Sequence, residues 1–182
     1  MSYDPTEQYE QVTPATVIAA PDAPPAGHID ADVVEHGAYL VELLGCGTCH
    51  TDGALVGEPN YARRLAGSRV GVAYTNPLDD VWPGVVFAPN LTSDATTGLG
   101  NWSREEIAEA IRHGRDRTGR QQIPVMPWRS YANLSHNDMQ AITAYLKVLP
   151  PVHHQVPEPV PAGVKTNERF VHFGVYQSRG AR

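Results

Sequence analysis

Hydrophobic positions recur at helical spacing in three segments of the chain. In the first segment, apolar or small residues three or four positions apart predict one buried helical face. Asp32 is placed to cap the start of this helix, and Gly45 is placed to end it. The glycine within the face permits another helix to approach closely, or it simply weakens the helix. The face consists of Val33, Gly37, Leu40, Val41 and Leu44.

The second and third amphipathic segments carry start and stop signals of their own. Ser103 followed by Glu106 forms a capping box, and Gly114 ends that helix. The third helix is predicted to start at Ser135 and to stop before Pro150, because proline cannot continue it. We expect Gly37 to lie where this third helix crosses the first. The buried positions of the third helix are Met139, Ile142, Tyr145, Leu146 and Leu149.

Proline-rich segments without helical or strand period flank the helical region. Residues 1–28 are acidic and polar, then rich in proline and alanine, which predicts an extended N-terminal arm. Residues 29–150 are predicted to form one domain of ordinary size, with a long loop over residues 67–89 that has room for a short hairpin. Residues 151–182 are predicted to form a proline-rich tail. Its alternating apolar stretch at residues 170–176 predicts docking, either on the domain or on a partner.

Both cysteines of the chain lie in one pentad, Cys46-Gly47-Thr48-Cys49-His50. Two thiols separated by two residues and followed at once by a histidine have the spacing of covalent c-type haem attachment. A thioredoxin-like pair would follow a strand, whereas the segment before Cys46 is helical. A zinc site needs two further ligands at short spacing, and the sequence has neither a second cysteine pair nor a His-x-x-x-His cluster to supply them. A disulfide between cysteines separated by only two residues would be strained. The pentad therefore predicts one covalent haem c, with His50 as an iron ligand.

A six-coordinate electron-transfer haem needs a second axial ligand, and methionine is a common one. Met1 is terminal and Met139 belongs to the third helix, whereas Met126 lies in an extended loop that two prolines stiffen. We therefore predict Met126 as the sixth ligand. If Met126 instead fills apolar surface, His113 or His172 would take its place. The remaining histidines are interpreted as surface or turn residues: His28, His36, His136, His153 and His154.

Six stretches of the chain resemble a known family. They are Ala88-Pro89-Asn90-Leu91-Thr92-Ser93-Asp94, Thr97-Gly98-Leu99-Gly100-Asn101-Trp102-Ser103, Met126-Pro127, Leu134-Ser135, Ala144-Tyr145-Leu146 and Leu149-Pro150-Pro151. They are similar to the cytochrome c subunits of bacterial membrane-bound alcohol, aldehyde and gluconate dehydrogenases. The resemblance implies an all-α, class I cytochrome c fold, with three main helices around one covalently bound haem and extended N- and C-terminal arms. Such relatives often carry several haem modules and a membrane anchor, whereas this chain has one haem motif and no apolar run that could span a bilayer.

The resemblance also implies roles for individual residues. It places the haem on Cys46 and Cys49, with His50 and Met126 as axial ligands and Pro89 near the proximal histidine. The Pro89 carbonyl would then fix the imidazole and raise its basicity. We include three further residues as candidate cofactor-binding residues: Asn90, Trp102 and Trp128. Either indole is able to donate a hydrogen bond to a haem propionate, although plain core packing explains each tryptophan equally well.

Charge is distributed unevenly along a chain whose net charge is −6. Residues 1–60 hold ten acidic side chains and neither lysine nor arginine, while residues 61–182 hold fourteen basic and ten acidic ones. Four arginines form a basic band just before Met126. This band either steers the haem edge toward a redox partner by charge complementarity or is only a solvated face. The overall acidity argues against binding to nucleic acid. The band consists of Arg112, Arg115, Arg117 and Arg120.

These features predict a one-electron carrier rather than an enzyme. We expect it to be the electron-transfer subunit or partner of a dehydrogenase and to pass electrons to a downstream acceptor. The alternatives are a haem enzyme or small-molecule sensor with a displaceable sixth ligand, and a relay subunit that its two arms clamp onto a dehydrogenase. Haem is attached outside the bacterial cytoplasmic membrane, whereas Met1-Ser2-Tyr3-Asp4 does not begin a secretory leader. We expect a periplasmic protein, associated with the membrane, if at all, through a partner or a removed N-terminal segment.

Overall fold

The computed structural model describes residues 30–74, 84–119, 121–122 and 125–173. The arm predicted for residues 1–28 lies outside this part of the chain. The described elements are, in order, α1 (Ala31–Leu43), α2 (Cys46–His50), β1 (Gly71–Tyr74), β2 (Gly84–Val86), α3 (Arg104–His113), α4 (Trp128–Tyr131), α5 (His136–Val148) and β3 (Phe170–Phe173). Two short 3-10 turns, Ala54–Val56 and Tyr61–Arg63, lie between α2 and β1.

Helix α1 follows the predicted pattern but begins earlier than predicted. Asp30, not Asp32, is the cap, because its carboxylate accepts a hydrogen bond from the backbone N–H of Asp32 at 3.1 Å. Two acidic residues two positions apart both suit a cap, and the sequence does not separate them. At the other end Gly45 has a φ of 67°, in the left-handed region that ends a helix. The chain then turns directly into α2.

The capping interactions predicted for α3 and α5 are confirmed. The Ser103 hydroxyl accepts from the Glu106 N–H at 3.1 Å, and the Glu106 carboxylate accepts from the Ser103 N–H at 2.8 Å. Gly114 ends α3 with a φ of 62°. The Ser135 hydroxyl accepts from the N–H of Asp138 at 3.0 Å and starts α5. Both helices therefore begin and end where local side-chain chemistry directs them.

The main hydrophobic core lies where α1 crosses α5. A β-carbon on Gly37 would lie 2.1 Å from the carbonyl oxygen of Ala141 and 2.8 Å from the Cβ of Tyr145, so only glycine fits. The predicted close crossing at Gly37 is confirmed. The largest fully buried side chains of this core come from α1, α3, α5 and the loop after the second 3-10 turn: Val41, Ile107, Ile142 and Leu65.

A three-stranded sheet, in the order β2-β1-β3, corrects the prediction of an all-α fold. Strand β1 pairs antiparallel with β2, with Val72 opposite Val86. This pair is the short hairpin that the sequence allowed within the loop predicted for residues 67–89. Strand β1 also pairs in parallel with β3, with Val72 opposite Val171. Ala73, Val85 and Phe87 form a second, smaller core. Helical periodicity cannot reveal such a sheet, because strands β1 and β3 lie far apart in the sequence.

The C-terminal tail returns to the domain over its described part. Val160 exchanges two backbone hydrogen bonds with Val85, at 2.8 and 2.9 Å, beside the sheet. Val156 and Val160 pack against the second core, and β3 completes the sheet. The sequence left open whether the tail docks on its own domain or on a partner, and the described part of the tail docks on its own domain. None of the helices in the described ranges has the length and apolar character needed to cross a membrane.

Candidate functional site

The two cysteines lie on one turn of α2, which contains nothing but the pentad. Residues three positions apart face the same side of a helix, so the two thiols of Cys46 and Cys49 point to a common region. Both are unpaired and half-buried. Burial is the main reason why the pKa of the Cys46 thiol rises to about 11, and burial also raises the pKa of Cys49. Burial thus disfavours the charged thiolate form of both cysteines.

His50 is 7% exposed and is fixed through one of its ring nitrogens. Its Nδ1 lies 2.8 Å from the carbonyl oxygen of Pro89. Because a carbonyl only accepts, Nδ1 carries the proton, and Nε2 keeps its lone pair. Burial lowers the pKa of His50, and the Pro89 hydrogen bond opposes this effect only in part. The result is a neutral, oriented imidazole, the form in which histidine binds metals.

A backbone frame around His50 holds the imidazole and the Pro89 carbonyl in place. The carbonyl of His50 accepts from the N–H of Gly67 at 2.8 Å. Gly67 has a φ of 86°, and a β-carbon there would lie 2.9 Å from both the Ala88 oxygen and the Asn90 nitrogen. The chain on both sides of Pro89 therefore packs directly against the segment that holds His50. The sequence reasoning missed the role of Gly67.

Met126 lies just before α4, in the described part of its loop. It occupies a bend, is half-buried, and its carbonyl accepts from the N–H of Trp128 at 2.8 Å. Tyr131, at the end of α4, donates from its hydroxyl to the Leu44 carbonyl at 3.4 Å. Burial raises the pKa of Tyr131, and the nearby Cys46 and Cys49 raise it further. Tyr131, which follows Met126 in the next helix, thus lies near the cysteine pair. The start of the predicted loop, residues 123–124, lies outside the described part.

The two candidate tryptophans have different surroundings. The Trp128 Nε1–H is buried and meets no acceptor in the described part of the chain. A β-carbon on Gly114 would lie 2.7 Å from that nitrogen, so the glycine that ends α3 also makes room for the indole. Trp102 packs against the main core, with the Arg117 guanidinium 5.6 Å from its ring centre. Of the two tryptophans, Trp128 is the one with an unsatisfied buried donor in the described part of the chain, a donor that a bound group would satisfy.

Asn90 is fully engaged within the protein. Its amide nitrogen donates to the Thr97 hydroxyl at 2.9 Å and to the Val152 carbonyl at 2.8 Å. Its amide oxygen accepts from the N–H of Thr92 at 2.9 Å and from the Thr92 hydroxyl at 2.7 Å. These contacts use both donors and both lone pairs. The side-chain amide of Asn90, which was expected to bind the cofactor, therefore has no hydrogen-bonding capacity left for one.

The histidines considered as alternative ligands lie at the surface. His113 ends α3, with its Nε2 3.8 Å from the Glu109 carboxylate, and His172 lies exposed in β3. The interpretation of His154 as a surface or turn residue is wrong, because this histidine is only 5% exposed. Its Nδ1 donates to the Ala66 carbonyl at 2.9 Å. The tail buries it by folding back on the domain, which no local sequence signal reports.

Part of the predicted basic band holds the fold together. Arg112 donates to the carbonyls of Leu134 and Ser135, at 3.0 and 3.1 Å. Arg117 donates to the Glu106 carboxylate at 3.2 Å while it covers Trp102. Arg115 is exposed, and Arg120 lies outside the described residues. Two of the four arginines are therefore engaged in contacts that a simple steering surface would not need.

The helices and the Cys46–His50 pentad are consistent with the protein family whose model matches this chain. The family model for cytochrome c covers residues 34–150, and the chain belongs to the cytochrome c family. This family carries covalently bound haem c, as the half-buried thiols and the oriented imidazole suggest. The match ends at Pro150, the last residue before the tail, so residues 151–173 lie beyond it.

Similar proteins are named as parts of dehydrogenases. A subunit of the nicotinate dehydrogenase of Pseudomonas putida is 34% identical, over 87% of this chain and 13% of that protein. The cytochrome c subunit of a quinone-dependent alcohol dehydrogenase of Gluconacetobacter polyoxogenes is 35% identical, over 64% of this chain and 22% of its own length. The gluconate 2-dehydrogenase cytochrome c subunit of Pantoea cypripedii is 34% identical, over 62% and 22%. The chain thus spans less than a quarter of these relatives.

Proposed function

We propose that this chain carries one haem c on Cys46 and Cys49, with His50 and Met126 as axial ligands, and transfers single electrons. The observation that supports this most directly is the buried imidazole of His50. It is fixed through Nδ1 by the Pro89 carbonyl, at 2.8 Å, and stands one residue after two half-buried thiols. A histidine so placed serves as a strong axial ligand, because its hydrogen-bonded Nδ1–H makes Nε2 more basic.

The surroundings of the pentad fit a haem. A thioether carries no charge and is therefore compatible with the half-buried positions of both sulfurs, and Tyr131 of α4 lies near them. The unsatisfied Trp128 indole matches a propionate carboxylate, which would accept from it. We therefore propose Trp128 as a propionate donor and Trp102 as a core residue. Asn90 is proposed to support Pro89 rather than to contact the cofactor.

The protein's contribution to electron transfer is to hold the iron ligands and set their donor strength. When bound, the haem supplies the one-electron chemistry. Pro89 keeps the His50 ring in one orientation and one tautomer, so that Nε2 always faces the ligand position. The neutral thioether of Met126 disfavours the extra charge of ferric iron and thereby raises the reduction potential. No general base or nucleophile is needed.

The partner that we propose is a dehydrogenase, as electron donor, with a downstream acceptor of the electrons. The relatives whose names denote cytochrome subunits of alcohol, fructose and gluconate dehydrogenases support this assignment. We place the protein in the bacterial periplasm, because covalent haem attachment to this motif occurs there. Membrane association would come through a partner or through a segment outside this chain.

Replacing both Cys46 and Cys49 with alanine is expected to abolish covalent haem binding completely, since each thioether needs its sulfur. Pyridine haemochrome spectra of protein extracted with acidic acetone measure the haem that stays attached. Thr48→Ala, at an exposed position between the cysteines, is the matched control and should retain its haem. The proposal fails if the wild-type protein loses its pigment to the acid extraction.

Trp128→Phe is expected to shift the pH dependence of the haem potential, whereas Trp102→Phe is expected to leave it unchanged. The Trp128 N–H would stabilise an ionised propionate, so its removal raises the propionate pKa. The fall in potential that accompanies propionate ionisation should then occur at higher pH. Spectroelectrochemical titration of both variants between about pH 5 and 9 measures this. Equal pH profiles for the two variants would exclude the assigned role of Trp128.

A further inference from the structure

A segment of the tail beyond the family match is bound to the loop that carries Pro89. The Val152 carbonyl accepts from the amide of Asn90 at 2.8 Å, and the Val152 N–H donates to the Thr92 hydroxyl at 3.2 Å. Asn90 is the residue directly after Pro89 and is 1% exposed. A buried amide with all of its hydrogen bonds made holds its backbone in one position. Val152 thus helps to hold the peptide that presents the Pro89 carbonyl.

His154 connects this loop to the segment that holds His50. Its backbone N–H donates to the Thr97 hydroxyl at 3.1 Å, and the same hydroxyl accepts from Asn90. Its ring Nδ1 donates to the carbonyl of Ala66 at 2.9 Å. The next residue, Gly67, donates its N–H to the carbonyl of His50 at 2.8 Å. One buried residue therefore links the two segments: its backbone N–H binds the Thr97 hydroxyl in the loop that follows Pro89, and its ring binds the Ala66 carbonyl beside Gly67.

The other side of the His154 ring is also fixed. Arg63 donates to Nε2 at 3.3 Å, and the Asp52 carboxylate lies 3.8 Å from the same nitrogen. Asp52 also accepts from the backbone N–H of Arg69 at 2.8 Å. The ring therefore has partners at both nitrogens, and its orientation is determined. A buried imidazole held in this way transmits a displacement of the tail to Ala66 rather than absorbing it by rotation.

We propose that the tail segment Val152–His154 positions the axial imidazole, with His154 and Thr97 as positioning residues that set the donor strength of His50. The inference rests on the proposed role of His50 as an iron ligand. The tail holds Pro89 through Asn90 and holds Ala66 through His154, so that the Pro89 carbonyl stays at hydrogen-bonding distance from Nδ1. A segment outside the matched cytochrome c region thus tunes the reduction potential of the haem.

Two variants of His154 separate this role from simple packing. An asparagine amide group occupies nearly the place of Nδ1 and can still donate to Ala66, whereas a glutamine amide group reaches toward the place of Nε2. In the full haem-containing chain, His154→Gln is expected to loosen the Pro89 hydrogen bond and to raise the midpoint potential. His154→Asn is expected to keep the wild-type potential. Gln155→Ala, which changes the exposed residue directly after this segment, is the surface control.

A second measurement reads the hydrogen bond itself. In the reduced protein, the Nδ1 proton of His50 is observed by NMR, and its exchange with solvent is expected to accelerate in His154→Gln but not in His154→Asn. Should His154→Gln fail to fold, Thr97→Val and Thr97→Ser provide the same comparison, because only serine keeps the hydroxyl that accepts from Asn90 and His154. The valine variant is then expected to show the higher potential and the faster exchange.

The outcomes are distinguishable from those of the proposed function. If the glutamine and asparagine variants, or the valine and serine variants, share one potential and one exchange rate while the iron ligands are unchanged, the inference is wrong and the proposed function stands. A lower potential in His154→Gln also overturns it, because that sign indicates entry of water rather than a weakened hydrogen bond. If the wild-type spectrum shows no histidine-ligated haem, the proposed function itself fails.

Discussion

Met126→Ala is expected to lower the midpoint potential by on the order of 100 mV, within the roughly 0.8 V over which axial ligands set haem potentials. The thioether is a neutral ligand that disfavours ferric iron, and its loss leaves the position to water. The reduced variant is also expected to bind carbon monoxide. Potentiometric titration and carbon monoxide difference spectra measure the two effects.

Met139→Leu is the matched control for this experiment. Met139 is buried in α5, and leucine preserves its volume, so the potential should not change. An unchanged titration for Met126→Ala, without carbon monoxide binding, would exclude Met126 as the ligand and leave His113 or His172 to be examined. Carbon monoxide binding by the wild-type protein would instead favour a haem enzyme or sensor with a displaceable sixth ligand.

Gly37→Ala is expected to lower the free energy of unfolding by about 3 kcal/mol, the upper end of the usual cost of overpacking a core. The new β-carbon would lie 2.1 Å from the Ala141 carbonyl oxygen, and backbone cannot move aside as a side chain does. Helices α1 and α5 would have to separate, which loosens the core between them. The higher helix propensity of alanine, about 1 kcal/mol, offsets only part of this cost.

Urea unfolding of the haem-containing protein, followed by circular dichroism, measures the effect of Gly37→Ala. Glu35→Ala, at an exposed position of the same helix, is the control and should change the stability little. A Gly37→Ala variant as stable as the wild type would show that α1 and α5 tolerate a wider separation. The proposed haem site would be unaffected by that result, because Cys46 to His50 follow the crossing point.

The stability of the site and the chemistry of the site depend on different parts of the chain. The α1–α5 crossing supports the helix that leads into the cysteine pair. The loop at Pro89, the segment at Gly67 and the tail residue His154, which binds Ala66, hold His50. We therefore expect core variants to change mainly the unfolding free energy, and variants of the tail contacts to change mainly the potential.

Local chemistry allowed the helices and the attachment motif to be predicted from the sequence. Ser103 with Glu106, Gly114 and Ser135 interact with backbone only a few residues away, so their caps are visible in the sequence. The pentad is equally local, since the thiols and the histidine lie within five positions. Gly37 was recognisable because a glycine weakens a helix, and its place in an apolar helical face therefore indicates a close helix contact.

Tertiary structure alone decided the sheet, the path of the described tail and the contacts of the candidate residues. Strand β1 pairs with β3, which lies nearly a hundred residues later in the sequence. The buried ring of His154 donates a hydrogen bond to the carbonyl of Ala66, 88 positions earlier. Trp128 and Trp102 have the same side chain and differ only in their neighbours. Asn90 was expected to bind the cofactor, but its hydrogen bonds go to Thr92, Thr97 and Val152. Such partners come together only when the chain folds, because no local pattern of residues specifies contacts between distant segments.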